Sequence, residues 1–185
     1  GGSSDAASFI KAYAALTGTA LSPGLADAVA SEVGSDVFFF LHCGEKGGAA
    51  LVSGRGEVVR PIVPRNDLHF VLVLPDVHSS TKEAYALVDK ALEAGDSLQY
   101  PPLEKLESVY RGPIKKWSFA NTFTPALTYK YSAIADALAD VRKSGAVWAD
   151  MTGSGAVVFG VYDSAVSAES ACNLLHETWG RCVLA

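Results

Sequence analysis

The chain has 185 residues, 49% hydrophobic and 19% charged, a composition that specifies a folded globular protein and excludes a disordered one. A formal net charge of −5 argues against a general nucleic-acid or membrane-surface binder, because both need a basic face. No apolar run approaches the length of a membrane span, and the first residues hold neither a basic region nor a secretory core, so a protein that is not secreted is expected.

Cys43, Cys172 and Cys182 are odd in number and lack metal-ligand spacing, which predicts reduced thiols. His42, His69, His78 and His176 form no ligand pattern either, and each reads as a surface or satisfied core residue.

In chain order, Gly1-Gly2-Ser3-Ser4-Asp5-Ala6-Ala7 precedes Phe9, Ile10, Tyr13, Ala14 and Leu16 at helical spacing. This predicts a glycine-rich turn feeding a helix N-terminus, where exposed amides and two hydroxyls suit phosphate oxygens. An ordinary serine cap, or a leftover linker in Gly1-Gly2-Ser3, explains the same residues. Ser22 and Pro23 then signal a second helix, with Leu25, Ala26, Ala28, Val29 and Val33 supplying its apolar face.

That helix stops at Gly34, and Gly34-Ser35-Asp36-Val37-Phe38-Phe39-Phe40-Leu41 follows. Burial of the apolar run fixes the backbone of Asp36 while the Gly-Ser turn leaves its side chain free to face a cleft, which suits a general base. The alternative is that Asp36 caps a short helix beginning at Val37. Cys43-Gly44-Glu45-Lys46-Gly47-Gly48 is a polar turn, and residues 49–53 and 57–63 read as strands joined by Gly54-Arg55-Gly56. Arg55 at that tip either pairs with an anion or is simply solvated.

The pattern changes near Pro64-Arg65-Asn66-Asp67, which divides the chain into residues 1–66 and 67–185. Leu68 to Leu74 reads as a buried strand. Ser80-Thr81-Lys82-Glu83 resembles a capping box opening a helix through Tyr85, Leu87, Val88 and Leu92. A short helix is expected at Leu103 to Tyr110, and one long helix from Pro125 to Lys143. Lys115 and Lys116 read as solvated cations beside Trp117.

Ala146 to Met151 and Ala156 to Tyr162 read as strands around the turn Thr152-Gly153-Ser154-Gly155. Ser164 to Trp179 reads as a helix with Val166, Ala168, Ala171, Leu174 and Leu175 inside, and Arg181 to Leu184 as a last strand. The resulting order predicts an α+β fold, a ferredoxin-like split βαβ arrangement with helices on one face of an antiparallel sheet.

Six stretches occur in the order and spacing of a known family: Gly1 to Ala7, Gly34-Ser35-Asp36-Val37, Gly54 to Glu57, Ser80-Thr81 with Tyr85, Asn121 with Phe123, and Thr152 to Gly155 with Phe159. On these residues the chain resembles the 4-diphosphocytidyl-2-C-methyl-D-erythritol kinases of the GHMP group of small-molecule kinases. The resemblance implies transfer of the ATP γ-phosphate to the 2-hydroxyl of that cytidine diphosphate alcohol, in non-mevalonate isoprenoid biosynthesis, in a bacterial cytoplasm or a plastid-like organelle.

It further implies that residues 1–66 are the C-terminal remnant of a catalytic domain and 67–185 a GHMP C-terminal ferredoxin-like domain. Asp36 is similar to the catalytic aspartate. Gly1, Gly2, Ser3 and Ser4 resemble the end of the ATP loop, with Ser4 a candidate Mg2+ contact, and Gly153, Ser154 and Gly155 resemble a second phosphate turn. The implied partners are ATP, Mg2+ and the small-molecule substrate, with neither nucleic acid nor membrane.

The departures are as specific. About the first third of the family's length has no counterpart, and with it go the catalytic lysine, the cytosine contacts and the first ATP-loop glycines. Phe38 stands where a proline is usual, Thr152 where a serine is, and Thr122 and Thr124 where acids flank the asparagine. The alternatives implied are a catalytically silent binding or structural module, a GHMP kinase for another small alcohol, and self-association through an exposed apolar edge.

Overall fold

A computed structural model of the chain describes residues 2–43, 48–97 and 99–185. They fall into two compact units, Gly1–Arg65 and Asn66–Ala185.

The first unit contains helices α1 (Gly2–Thr17), α2 (Pro23–Val33) and α3 (Asp36–His42), followed by strands β1 (Ala49–Ser53) and β2 (Val58–Ile62). Ser22 caps α2 through its hydroxyl, which accepts from the Leu25 N–H at 3.3 Å. The strands form a two-stranded antiparallel ribbon with Leu51 opposite Arg60. Pro61 is tolerated there because a ribbon of two strands leaves every residue an edge position.

The small core of this unit is Ala7, Ala30, Val37 and Phe38, with Ala6, Ile10, Leu41 and Val59 packed against it. Two polar links tie the helices around it. Lys11 Nζ donates to the Phe40 carbonyl at 2.8 Å, and His42 Nε2 lies 2.7 Å from Asp27 Oδ1. Among the faces expected to be buried, however, Phe9, Tyr13, Leu16, Leu25 and Val33 are exposed, Leu16 at 88%. With Ile10, Ala14 and Leu21, residues of this exposed face line an apolar groove of about 380 Å³ between α1 and α2.

The second unit contains β3 (His69–Val73), α4 (Thr81–Glu93), α5 (Leu103–Arg111), a 3-10 turn at Ile114–Lys116, α6 (Thr124–Lys130), α7 (Ser132–Lys143), β4 (Trp148–Met151), β5 (Val158–Tyr162), α8 (Ala165–Trp179) and β6 (Cys182–Leu184). The sheet order is β4-β5-β3-β6 and each pairing is antiparallel. This is the expected split βαβ arrangement, in which the first and third strands of the unit are central.

Alternation along the strands explains which face carries the helices. Val71, Val73, Ala149, Met151, Val158 and Tyr162 point into one core with Ala84, Leu127, Ile134, Leu138, Val141 and Leu175. Full burial of one such aliphatic side chain stabilises by about 1.5–3 kcal/mol. On the opposite face, Phe70, Trp148 and Phe159 form an aromatic cluster with Trp117 and Phe119. α8 begins at Ser164, whose hydroxyl accepts from the Ser167 N–H at 3.1 Å, and stops at Gly180 in the left-handed conformation, φ 64°.

Several local expectations need correction. The long helix is two helices, because Tyr131 has extended dihedrals, φ −118° and ψ 101°, between α6 and α7. The Tyr131 hydroxyl donates to Glu83 Oε2 at 2.8 Å, and Lys130 bonds the other oxygen of the same carboxylate. Glu83 therefore does not form a capping box with Ser80, which caps α4 by position without a side-chain hydrogen bond. Val166 and Leu174 face outward, 73% and 57% exposed, while Ala168, Ala171 and Leu175 are the inner face of α8. Small residues bring that helix close to the sheet, which leaves no room for a second row of large ones.

The three cysteines are free thiols. Cys172 and Cys182 face one another with sulfurs 3.3 Å apart, and burial, reinforced by that contact, pushes the Cys182 thiol up to about 12.

Candidate functional site

In the first unit the geometry centres on α3. Val37 is fully buried and Phe38 6% exposed, whereas Asp36 is on the surface. Asp36 is the first helical residue rather than the cap. Ser35 holds the capping position with helical dihedrals and no side-chain bond, and the Val37 N–H donates to the Gly34 carbonyl at 3.0 Å. The carboxylate is thus carried on a backbone fixed by the core one residue away, with its oxygens facing solvent. A negative charge in the first turn of a helix is favourable by about 0.3–1 kcal/mol. The four-residue apolar run is only half buried, since Phe40 is 38% exposed and Phe39 and Leu41 are intermediate.

The hairpin between β1 and β2 reaches the same place. Gly56, with φ +112°, packs against Ser35, so the tip of the hairpin braces the residue before Asp36. Arg55 at that tip donates its backbone N–H to Glu57 Oε2 at 2.6 Å, closing the turn on itself.

The glycine-serine stretch at the start of the chain is helical where it is described. Gly2, Ser3 and Ser4 form the first turn of α1 rather than a loop, and Gly1 and residues 44–47 lie outside the described residues. First-turn amides have no acceptor within their own helix, so the direction of Gly2 and Ser3 still suits an anion. Ala7 of α1 and Val37 of α3 share one core cluster, which fixes the first turn of α1 and the start of α3 on the same small scaffold.

In the second unit the turn Thr152 to Gly155 joins β4 to β5. The Thr152 N–H donates to the Val157 carbonyl at 2.9 Å and the Gly155 N–H to the Thr152 carbonyl at 3.1 Å. Gly155 therefore spends its amide inside the turn. Gly153 and Gly155 have positive φ, 57° and 84°, which explains glycine at both.

Other residues converge on this turn. Asn121 Nδ2 donates to the Met151 and Gly153 carbonyls at 2.7 and 2.8 Å, and Thr81, first residue of α4, shares a 2.8 Å hydrogen bond with Ser154 between hydroxyls. Tyr85 meets Phe123 edge to face, centroids 5.0 Å apart. Residues flanking Asn121, namely Phe119, Ala120 and Thr122, line an apolar hollow of about 310 Å³ with Tyr100, Leu103 and Leu106.

Asn121 and Thr81 carry no role in the sequence-based reading, and Asp150 is absent from it. Asp150 is 7% exposed. The signal was present in Trp148-Ala149-Asp150-Met151, a carboxylate inside an apolar strand, which is stable only where donors meet it.

No helix among the described residues is long and apolar enough to cross a membrane. No group of three or more His, Cys, Asp or Glu among them is placed to hold a metal ion.

The family described as "GHMP kinases C terminal" matches residues 106–180. The 4-diphosphocytidyl-2-C-methyl-D-erythritol kinase of Treponema pallidum (strain Nichols) is 35% identical over 189 residues, covering 99% of this chain and 64% of its own. The enzyme of the same name from Caldanaerobacter subterraneus subsp. tengcongensis is 36% identical over 167 residues, covering 88% and 55%. The chain thus spans less than two thirds of these relatives.

A crystal structure of 4-(cytidine 5'-diphospho)-2C-methyl-D-erythritol kinase superimposes on all of this chain and 63% of its own, with a TM-score of 0.74 and 26% identity. The structure of L. major mevalonate kinase shares the fold, with a TM-score of 0.65 at 15% identity over 96% of this chain and 61% of its own. Kinases of one name match the chain along its length, the C-terminal family of the GHMP kinases matches its second unit, and in both respects the chain is similar to the GHMP kinases.

Proposed function

We propose that the chain carries part of the machinery of an ATP-dependent small-molecule kinase acting on 4-diphosphocytidyl-2-C-methyl-D-erythritol, the alcohol named in its relatives, in isoprenoid biosynthesis. The observation that carries this reading is the exposed Asp36 carboxylate on a backbone held by buried Val37 and Phe38. In the reaction the 2-hydroxyl oxygen bonds to the γ-phosphorus, the bond from that phosphorus to the β,γ-bridging oxygen breaks, and ADP leaves. Asp36 accepts the hydroxyl proton or orients it for attack.

Phosphoryl transfer demands positioning and charge neutralisation more than covalent help. The amides of Gly2, Ser3 and Ser4 in the first unit, and separately those of Gly153 and Ser154 in the second, are donors of the kind phosphate oxygens take. Mg2+ arriving with the nucleotide would take most of its ligands from phosphates and water, and the Ser4 hydroxyl would be a protein contact to it.

The test is ADP release with the cytidine diphosphate alcohol, comparing this chain with one extended to the length of its relatives. Turnover that falls about 10²–10⁴-fold in Asp36→Asn supports the assignment; turnover untouched by that change overturns it.

A second reading, a non-catalytic module of the same family, is favoured by the exposed apolar residues of α1 and α2, which also favour self-association. Retained ATP binding without ADP release from this chain would select it.

A further inference from the structure

Asp150 is a residue whose burial is at odds with its charge. At 7% exposed it is the charged side chain buried among the described residues, and a carboxylate removed from water is tolerated only where hydrogen bonds replace the lost hydration. Three donors do so. The Asn121 N–H reaches Oδ2 at 2.9 Å, and the Thr124 hydroxyl and the Met151 N–H reach Oδ1 at 2.5 and 2.8 Å. Two of them belong to the segment before and at the start of α6, so the carboxylate clamps that segment to the end of β4.

The clamp is transmitted. With its backbone fixed by Asp150, Asn121 accepts the Phe123 N–H on its side-chain oxygen at 2.9 Å and spends both amide hydrogens on the Met151 and Gly153 carbonyls. Gly153 is thereby tied by its carbonyl at one side. On the other side Gly155 lies so close to Met151 that an added Cβ would stand 2.8 Å from its sulfur.

We propose that Asp150 is a positioning residue, which through Asn121 sets the orientation of the Thr152 to Gly155 turn and hence the direction of the Gly153 and Ser154 amides. A strand end needs no buried charge for its own sake. A carboxylate accepting several hydrogen bonds at once holds a turn more tightly than a neutral group could. The consequence for ligand binding rests on the proposal that this turn meets phosphate; the consequence for the turn itself does not.

The experiment uses the full chain and its Asp150→Asn and Thr124→Val variants, with Thr124→Ser as the conservative partner. Asn is isosteric but offers an amino group to one of the three donors, and Val removes a donor without changing shape. Amide hydrogen exchange read by NMR should quicken at least about tenfold at Gly155, whose N–H is bonded within the turn, while Gly160 and Val161 in β5 keep wild-type rates. Thr124→Ser should restore slow exchange at Gly155. Unchanged exchange at Gly155, or a uniform rise through the second unit, overturns the proposal.

In parallel, ATP with Mg2+ is titrated into the wild-type chain while the Gly153 and Ser154 resonances are followed. If they do not move, the phosphate assignment of the turn fails, and the exchange data still decide the role of Asp150. If they move, Asp150→Asn should weaken ATP binding about tenfold. Wild-type affinity in that variant would overturn the link from Asp150 to ligand.

Discussion

Gly56 lies against the backbone of Ser35: a Cβ added to Gly56 would stand 2.9 Å from the Ser35 carbonyl carbon, closer than real Cβ atoms approach. The two residues belong to the hairpin tip and to the turn before α3, and their contact sets the position from which Asp36 emerges. Gly56 also has φ +112°, which side-chain-bearing residues rarely adopt.

Gly56→Ala should therefore destabilise the chain by about 1–3 kcal/mol in urea denaturation and shift the amide resonances of Ser35 and Asp36. Gly54→Ala provides the contrast. Gly54 also has positive φ, 68°, but its added Cβ would meet the flexible carboxylate of Glu57, which can turn away. It should lose about 1–3 kcal/mol, from the left-handed penalty and the loss of the hydrogen bond that Glu57 accepts from Arg55, and leave Ser35 and Asp36 where they are. Equal spectral changes at Asp36 in both variants would show that the brace is not local.

Glu83 gives a pH dependence whose sign follows from its partners. Lys130 first, and the Tyr131 hydroxyl second, hold its carboxyl below the usual carboxylate range, while Glu83 raises the Lys130 ammonium. A lowered carboxyl pKa stabilises the fold above the ordinary value of 4.5, and this contribution is lost as pH falls through the folded value. A raised ammonium pKa contributes fully below the ordinary value of 10.5 and is lost as pH rises through the folded value.

The Tm difference between wild type and Glu83→Gln should thus be constant from about pH 5.5 to 9.5 and shrink outside that range. It should also be modest and reduced by salt, because the pair is solvent-accessible. A difference that grows below pH 4 would refute the assignment.

Gly160 sits where β5 meets α7. A Cβ there would be 2.6 Å from Val141 Cγ1 and 2.9 Å from Ala146 Cβ, and Val141 is fully buried. Gly160→Ala should cost about 1–3 kcal/mol by overpacking, measured by urea denaturation. Combined with Val141→Ala it should cost less than the sum of the two single changes, because the second opens the space the first needs. Strict additivity would place the strain elsewhere.

The identity of most elements was legible because their signals are local. The apolar runs of β3 and β5, the Ser22 cap followed by Pro23, and the glycine stop at Gly34 each act within a few residues. The strand and helix order from Leu68 onward was enough for the ferredoxin-like topology. Local signals failed where a distant partner competed. Glu83 left its expected cap for Lys130 and Tyr131, and the helix expected from Pro125 broke at that tyrosine. Periodicity likewise marked Val166 and Leu174 as inner residues, but the close approach of α8 to the sheet turned them out.

The sequence by itself determined the residue types available for chemistry: an aspartate after a Gly-Ser turn, a Gly-Ser-Gly turn between strands, and an asparagine with a phenylalanine two residues on. Tertiary structure alone decided how they are held. Asp150, Asn121 and Thr81 meet the Gly153 to Gly155 turn and its supports across 26 to 73 residues of chain, and Gly56 meets Ser35 across the β1–β2 hairpin. Such contacts form only when strands pair and helices pack, because a hydrogen bond or close approach between distant residues depends on where the whole backbone goes.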